Sequence, residues 1–267
     1  MSYTTKSKLE SADKISPVRC KGFGIQRDNG CLSMREAEDF RAECDAYIDE
    51  QIKEWQRDVA SAHLPEKLED FDWDVYRRGL LETAYRIRLL RVIESKAISQ
   101  IAKTSPDAAK IWAEYEADEM THDEMFLDDL VNSGVDISVI NQYEPSLETK
   151  LLVGYFAYLL EHEGPLGVVS YSYLVEYVNV KMEMNRVDIL SKLLSEPMVI
   201  GQRAHAYTDI NHDHPTMVWE CLSKLIKTEN DKRAVFVYFD NFKKLLMMFM
   251  NGDDIKEGIK DSGNAIA

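Results

Sequence analysis

The sequence has no apolar stretch long enough to cross a membrane. Its longest apolar run, LLVGYFAYLL at 151–160, is about half the length of roughly 20 residues that a membrane helix needs. The first residues, MSYTTKSKLESADKISP, contain no apolar core like that of a signal peptide. We therefore expect a soluble protein of the cytoplasm that does not bind membranes.

Cysteine is also scarce. The four cysteines are Cys20, Cys31, Cys44 and Cys221, and they show no C-x-x-C spacing. In a chain of 267 residues this pattern is typical of reduced thiols without a disulfide framework.

Positive charge is in short supply. The chain has 47 acidic and 32 basic residues, which gives a net charge of -15. Nucleic acids and anionic lipids would be repelled by this mean charge, so we expect neither as a partner.

Helical patterning dominates from residue 34 onward, and no strand alternation or internal repeat is present. Ser33 and Glu36 form the sequence pattern of a capping box at the first helix. We predict one all-α domain over 34–250, preceded by a loosely ordered lead-in at 1–33 and followed by a frayed tail at 251–267. The predicted helices cover about 34–62, 71–103, 107–133, 146–162, 166–195, 198–212, 215–228 and 231–250.

The segment AHAYTDINHDHP, 204–215, holds three of the six histidines of the chain. On a helix that advances about 100° per residue, His205, Asp209 and His212 would lie on one face. Two imidazoles and a carboxylate suit zinc, iron or manganese. The alternative is a solvated polar face.

A second motif lies in YEADEMTHDEMF. Glu119 and His122 form E-x-x-H, the i,i+3 pair that di-iron carboxylate bundles use. Because many acids surround this pair, surface charge is the competing interpretation.

Two further carboxylates stand in apolar surroundings. Glu176 lies in YSYLVEYVNV, where a buried carboxylate requires a metal or a polar partner such as Tyr or Arg. Glu82 lies in GLLETAYRIRLL, and an ion pair with Arg86 is its alternative role.

The order of these motifs is a lone Glu, E-x-x-H, a lone Glu in an aromatic helix and H-x3-D-x2-H. Over about residues 71–250 it resembles the haem-oxygenase-like di-iron oxidases and oxygenases. Ferritin-like proteins differ, since they repeat E-x-x-H twice. Glu176 fits the family's lone carboxylate better than Glu161 or Glu163, because it lies 54 residues after the first ligand His and 29 before the second.

The resemblance implies a haem-oxygenase-like bundle of seven to eight helices and two iron ions without haem. The implied ligands are Glu119, His122, Glu176, His205, Asp209 and His212. Glu82 would match a further carboxylate that some members use. Many members space the first Glu and His by seven or ten residues, and here those positions hold Tyr115 and Trp112.

The activity implied is that of an O2-activating oxidoreductase with Fe2+/Fe3+ as cofactor and O2 as co-substrate. Members of the family perform N-oxygenation, desaturation or oxidative C–C cleavage. Glu and Arg residues near the expected site favour an amine or amino acid as the small-molecule substrate. An external electron donor and a homodimer are open options.

Two rival functions remain. A cofactorless enzyme of the thiaminase or quinone-cofactor synthase type would share the fold and need a catalytic Cys or another polar pocket. A non-enzymatic metal-binding or helical interaction protein would need no O2 reactivity. A haem-binding oxygenase is disfavoured, because no His precedes His63.

Overall fold

A computed structural model of the chain describes residues 32–58 and 64–251, and these residues form helices without any strand. The all-α prediction is therefore confirmed for this part of the chain. Most of the expected lead-in and of the expected C-terminal tail lies outside the described residues, so those two predictions stay predictions.

The helices are numbered here in chain order. They are α1 (Met34–Asp58), α2 (Trp73–Thr104), α3 (Pro106–Glu119), α4 (His122–Asn132), α5 (Ile137–Gln142), α6 (Leu147–Tyr158), α7 (Pro165–Leu193), α8 (Ile200–Asn211), α9 (His214–Leu225) and α10 (Glu229–Asn251). Short 3-10 turns cover Leu68–Asp70 and Glu196–Met198, and a π-helical turn covers Leu159–Glu163.

The helix starts follow the sequence signals. Ser33 and Glu36 form the expected capping box, with the backbone N–H of Ser33 donating to Glu36 over 2.8 Å. Ser105 caps α3, where Pro106 occupies the first turn. Ser146 caps α6 in the same way. These side chains accept hydrogen bonds from backbone N–H groups that have no partner inside the helix.

The prediction of one continuous helix over 107–133 is wrong. α3 ends at Glu119 and α4 begins at His122, because Thr121 leaves the helical conformation at φ −125° and ψ 10°. Arg91 donates a hydrogen bond to the carbonyl of Met120 at this break. A further helix, α5, lies between the predicted helices 107–133 and 146–162, where no helix was predicted.

The central element of the described fold is α7, which packs against α1, α2, α8, α9 and α10. Its first half is buried all round, from Gly167 to Leu174 and again from Glu176 to Val178. A helix that is apolar on every side belongs in the interior of a protein. The segment VVSYSYLVEYV is therefore helical, as its flanking pattern predicted, although its residues have high strand propensity.

A tight contact fixes α8 against α4. The backbone N–H groups of Gly201 and Gln202 donate to the two carboxylate oxygens of Asp129, over 2.7 and 2.9 Å. A Cβ atom at Gly201 would lie 1.8 Å from the carbonyl oxygen of Met125. The two helices can approach this closely only because residue 201 has no side chain.

We expect Gly201→Ala to lower the free energy of unfolding by about 3 kcal/mol, because backbone atoms must move to relieve the clash. Urea denaturation measures the change. Gly154→Ala is the matched control, since a Cβ there meets nothing within 4 Å. In this exposed helical position alanine should be neutral or stabilising by up to about 1 kcal/mol. Equal stability of the two variants would contradict the contact.

Within residues 32–58 and 64–251, no helix combines the length and the apolar composition that crossing a membrane requires.

Candidate metal centre

Six acidic and histidine side chains from five helices meet beside α7. Glu119 ends α3, His122 begins α4, and Glu176 lies in the buried half of α7. His205 and Asp209 lie one turn apart on α8, and His214 begins α9. Glu119 is about one-eighth exposed and the other five are buried.

His214 is surrounded by carboxylates. Its Nδ1 atom lies 3.1 Å from Oε1 of Glu119, 3.3 Å from Oδ1 of Asp209 and 3.6 Å from Oε2 of Glu176. One ligand atom from each of these four residues lies within 4.8 Å of all the others.

A second group shares Glu119 with the first. The Nδ1 atom of His122 lies 2.9 Å from Oε2 of Glu119, and the His122 and His205 rings are 4.9 Å apart. Ligand atoms of these three residues again lie within 4.8 Å of one another. The two oxygens of Glu119 thus face two different groups of side chains.

Most of these buried atoms have no hydrogen bond in the described structure, because the close nitrogen–oxygen pairs are not aligned for one. They are Nδ1 of His122 and His205, both ring nitrogens of His214, Oε1 of Glu119, Oε2 of Glu176 and Oδ1 of Asp209. A buried polar atom without a partner costs about 1–3 kcal/mol. Seven of them lie together here, in groups whose spacing could hold a metal ion.

The donor set and its spacing fit metal ions. Ligand atoms at ~2.1 Å from a common ion are separated by about 3.0–3.4 Å when they occupy neighbouring coordination positions. The separations around His214 are close to these values. Three imidazoles and three carboxylates suit iron, manganese or zinc. Glu119 would be the carboxylate that two ions share.

Polar neighbours hold several of these side chains in place. The hydroxyl of Tyr115 donates to Oε1 of Glu176 over 2.8 Å, which leaves Oε2 free. The Tyr115 ring also packs edge-on against His214, 5.3 Å between centroids. Oε2 of Glu183 lies 3.3 Å from Nδ1 of His205. Tyr115 therefore lies against the centre, at a position where many members of the resembled family have a glutamate.

The carboxylates change the protonation of the histidines. Burial alone would lower the pKa of His214, but the close carboxylates of Asp209, Glu119 and Glu176 raise that pKa to about 12. For His205, burial is likewise outweighed by Glu183 and Asp209, and its pKa rises to about 10. We therefore expect both imidazoles to be cationic at neutral pH when no metal is bound.

The pKa values of the neighbouring carboxyl groups shift in opposite directions. Burial raises the pKa of Glu176, and the charges of Asp209 and Glu119 raise it further. Burial also raises the pKa of Glu94 and of Glu116, with Glu119 adding to both shifts. At Glu119 itself, burial is outweighed by His122 and His214, which hold its pKa below the ordinary value.

We expect the metal-free protein to lose stability as the pH rises from 6 to 9. His205 and His214 have raised pKa values, so their contribution is complete below about 6.5 and is lost as the pH rises through their folded-state values. The raised pKa of Glu176 also makes the folded protein less stable as the pH rises above about 4.5. The lowered pKa of Glu119 has the opposite effect on stability, but only at a pH below about 4.5.

Thermal unfolding with a chelator at pH 6, 7.5 and 9 should show a fall of several degrees. Metal ions displace these protons, so the stabilisation gained on adding metal should grow over the same range. A metal-free melting temperature that rises with pH would show that the two imidazoles are neutral.

A small cavity of about 40 Å³ adjoins the centre. Its lining residues include Glu119, Glu176, His205, Arg86 and Glu94. A cavity needs about 10–15 Å³ to hold a water molecule, so this one has room for a diatomic molecule or a few waters.

His212 is not one of these six side chains, but it forms a further group with Asp118 and His214, whose ligand atoms lie within 4.8 Å of one another. α8 ends at Asn211, and Asp213 takes a left-handed conformation with φ 50° and ψ 50°. The side chain of His212 is 53% exposed, and its Nδ1 forms a 2.9 Å hydrogen bond with Asp118. His212 is the C-cap of α8 and its backbone N–H still donates to Thr208, but its side chain bonds to Asp118 and does not join the six.

Glu82 also lies apart from the six side chains. Its carboxylate accepts hydrogen bonds from the hydroxyls of Tyr143 and Thr149 and, over 2.9 Å, from the backbone N–H of Ser146. Both oxygens are occupied, so Glu82 anchors the start of α6. The alternative ion pair with Arg86 is absent from the described contacts, and Arg86 donates instead to Tyr171 over 2.7 Å.

Sequence reasoning missed His214. It is fully buried at the first position of α9, directly before Pro215. Pro215 did mark the start of a helix, predicted over 215–228, but that helix begins one residue earlier and so carries His214 at its first position. The structure thus brings together Glu119, His122, Glu176, His205 and Asp209 of the predicted residues and adds His214.

No protein-family model and no curated protein matches the chain. A solved structure does match: a domain of unknown function with a haem oxygenase-like fold from Shewanella denitrificans OS217. The two share 16% sequence identity with a TM-score of 0.68, and the match covers 86% of this chain and 97% of that one. The chain therefore has a haem-oxygenase-like fold, which confirms the predicted fold class.

Proposed function

We propose that the chain is an O2-activating non-haem di-iron oxidase or oxygenase that acts on a small organic substrate. The observation that carries the proposal is the set of buried histidine and carboxylate atoms around Glu119 that lack hydrogen bonds. The fold and the motif order that resembles the di-iron oxidases support it. An amine or amino acid is the first substrate class to test.

The ligands proposed for iron are Glu119, His122, Glu176, His205, Asp209 and His214. This set keeps the three imidazoles and three carboxylates that the sequence predicted and replaces His212 by His214. When bound, iron would supply the one-electron changes that O2 reduction needs.

The surrounding residues have separate tasks in this proposal. Tyr115 orients Glu176 through its hydroxyl, and Glu183 stands beside Nδ1 of His205. The carboxyl of Glu94 lines the small cavity, and its raised pKa lets it hold a proton there. Tyr171 closes the cavity beside Arg86.

The cofactorless rival receives no support from the described thiols. Cys44 and Cys221 are fully buried, and burial raises the pKa of both thiols far above neutral pH. A thiol of that kind is a poor nucleophile, because the thiolate is the reactive form. A helical interaction protein without a metal would have no use for so many buried acidic and histidine atoms that lack hydrogen bonds.

Oxygen uptake tests the proposed activity. Protein loaded with Fe2+ without air should consume O2 in proportion to its bound iron when air is admitted. The Zn2+-loaded protein is the control, because zinc binds similar ligands and has no redox chemistry. His205→Ala should lose the uptake.

If Fe2+-loaded protein consumes no more O2 than the same concentration of free Fe2+ in buffer, the oxidase proposal is wrong. Equal uptake by wild type and His205→Ala would also contradict it.

A further inference from the structure

The two ring nitrogens of His214 are both buried without a hydrogen bond, and they contact different neighbours. Nδ1 lies among the carboxylates of Glu119, Asp209 and Glu176 in the metal centre. Nε2 lies 3.5 Å from Oδ2 of Asp118. The proposed iron ligation uses Nδ1 and leaves the role of Nε2 unexplained.

Asp118 and His212 complete a second set of ligand atoms around Nε2. Oδ2 of Asp118 lies 2.9 Å from Nδ1 of His212, and ligand atoms of Asp118, His212 and His214 lie within 4.8 Å of one another. We call these three residues the outer group. Two imidazoles and one carboxylate can bind Zn2+, Fe2+ or Co2+ and leave a further coordination position for water.

The outer group connects the solvent with the metal centre. His212 is more than half exposed and Asp118 about one-third exposed, whereas His214 is fully buried. A buried metal site needs a path by which ions enter. Among the candidate groups of metal ligands in the described part of the chain, the outer group alone includes an exposed side chain.

The imidazole of His214 can serve the outer group and the centre only in turn. A neutral imidazole carries a proton on one nitrogen and offers the other nitrogen to a metal ion. When an ion binds Nδ1, Nε2 keeps the proton and can donate it towards Asp118, as metal-bound histidines commonly do to carboxylates. When an ion binds Nε2, the proton is on Nδ1, beside the carboxylates of the centre. The two positions therefore compete for one ring.

We propose that Asp118, His212 and Nε2 of His214 form an outer metal-binding position, which takes up divalent ions from solution and from which they move to the buried centre. The net charge of -15 attracts cations to the protein. The outer position offers only three protein ligands, two of which reach solvent, so it holds an ion more weakly than the centre. It empties when an ion in the centre binds Nδ1, and the loaded protein keeps two ions.

This inference rests on the metal centre of the proposed function and does not depend on O2 chemistry. Co2+ is a suitable probe, because its visible absorption reports the ligands and the geometry of its site. After Co2+ is mixed without air with the metal-free full chain, stopped-flow absorption should show a fast phase that depends on the Co2+ concentration. A slower phase that does not depend on concentration should follow, as ions move to the centre. Metal analysis at the end should give two ions per chain.

His212→Ala should lose the fast phase and load at least about tenfold more slowly, because the outer position lacks a ligand. Its final metal content should still be two ions per chain. Asp118→Asn should also lose the fast phase, since a neutral amide is a weaker ligand than a carboxylate. Circular dichroism of each variant checks the fold.

Asp213→Asn is the matched control. It removes the same charge as Asp118→Asn from a neighbouring side chain that is not part of the outer group. Residue 213 has a left-handed conformation, which asparagine tolerates. This variant should load like the wild type.

Equal loading rates in His212→Ala and the wild type would overturn the inference. So would an equal slowing in Asp213→Asn, since local charge alone would then explain it. If His212→Ala loads slowly and also ends with fewer than two ions, His212 is a ligand of the centre and there is no separate outer position. If loading follows the outer group but Fe2+-loaded protein consumes no O2, the inference stands and the proposed oxidase function fails. Absence of Co2+ binding would contradict both.

Discussion

Replacing His214 with alanine should remove one of two bound iron ions. Nδ1 of His214 lies within 3.6 Å of carboxylate oxygens from three proposed ligands, and the ring is fully buried. Loss of outer contacts to a metal ligand costs about 10- to 100-fold in metal affinity, and loss of the ligand itself should cost more. Iron content after anaerobic loading and gel filtration measures the effect.

His212→Ala is the matched comparison, because it removes the same side chain two residues earlier in the sequence. His212 is more than half exposed and bonds to Asp118, so this variant should keep both ions. The sequence motif H-x3-D-x2-H predicts the reverse. If His212→Ala loses iron and His214→Ala keeps it, the ligand set proposed from the structure is wrong.

Glu119→Ala should have the larger effect on total metal and reduce binding to near zero. Its two oxygens face both groups of ligand atoms, so neither ion keeps its full set of ligands without it. Iron content and the gain in melting temperature on adding Fe2+ should both fall, because a ligand that binds only the folded state stabilises it.

Glu114→Ala serves as the control on the same helix. Its carboxylate is 58% exposed and pairs only with Lys110, over 3.6 Å. This variant should bind iron like the wild type. If Glu119→Ala retains two ions, Glu119 is not a ligand that two ions share.

Much of the fold could be predicted because its signals are local. Ser33 with Glu36, Ser105 before Pro106 and the Gly164-Pro165 pair each mark a helix boundary that the structure shows. The buried half of α7 was recognisable from a continuous apolar run within longer helical patterning. These features depend on residues within one or two turns of each other.

The break between α3 and α4 could not be predicted in this way. The break falls at Met120 and Thr121, and neither residue is a helix breaker such as glycine or proline. The hydrogen bond to the carbonyl of Met120 comes from Arg91, which is 29 residues earlier. The break also changes the meaning of E-x-x-H. Glu119 and His122 meet at a junction between two helices, 2.9 Å apart, and do not share the face of one helix.

A helical projection of the sequence also could not identify His214 as the third histidine of the proposed ligand set in place of His212. His212 is the C-cap of α8, and its side chain bonds to Asp118. Beyond that point the left-handed residue Asp213 redirects the chain, and His214 enters the centre from α9. His205 and Asp209 lie within α8, so for them the projection placed both side chains on the same face.

The most direct test of the central claim is anaerobic titration of the metal-free protein with 57Fe2+, followed by metal analysis and Mössbauer spectroscopy. The proposed di-iron centre predicts two Fe2+ ions per chain, bound by nitrogen and oxygen ligands, and the loss of both in Glu119→Ala. Binding of no iron, or of a single ion that survives in Glu119→Ala, would contradict a di-iron centre built around Glu119.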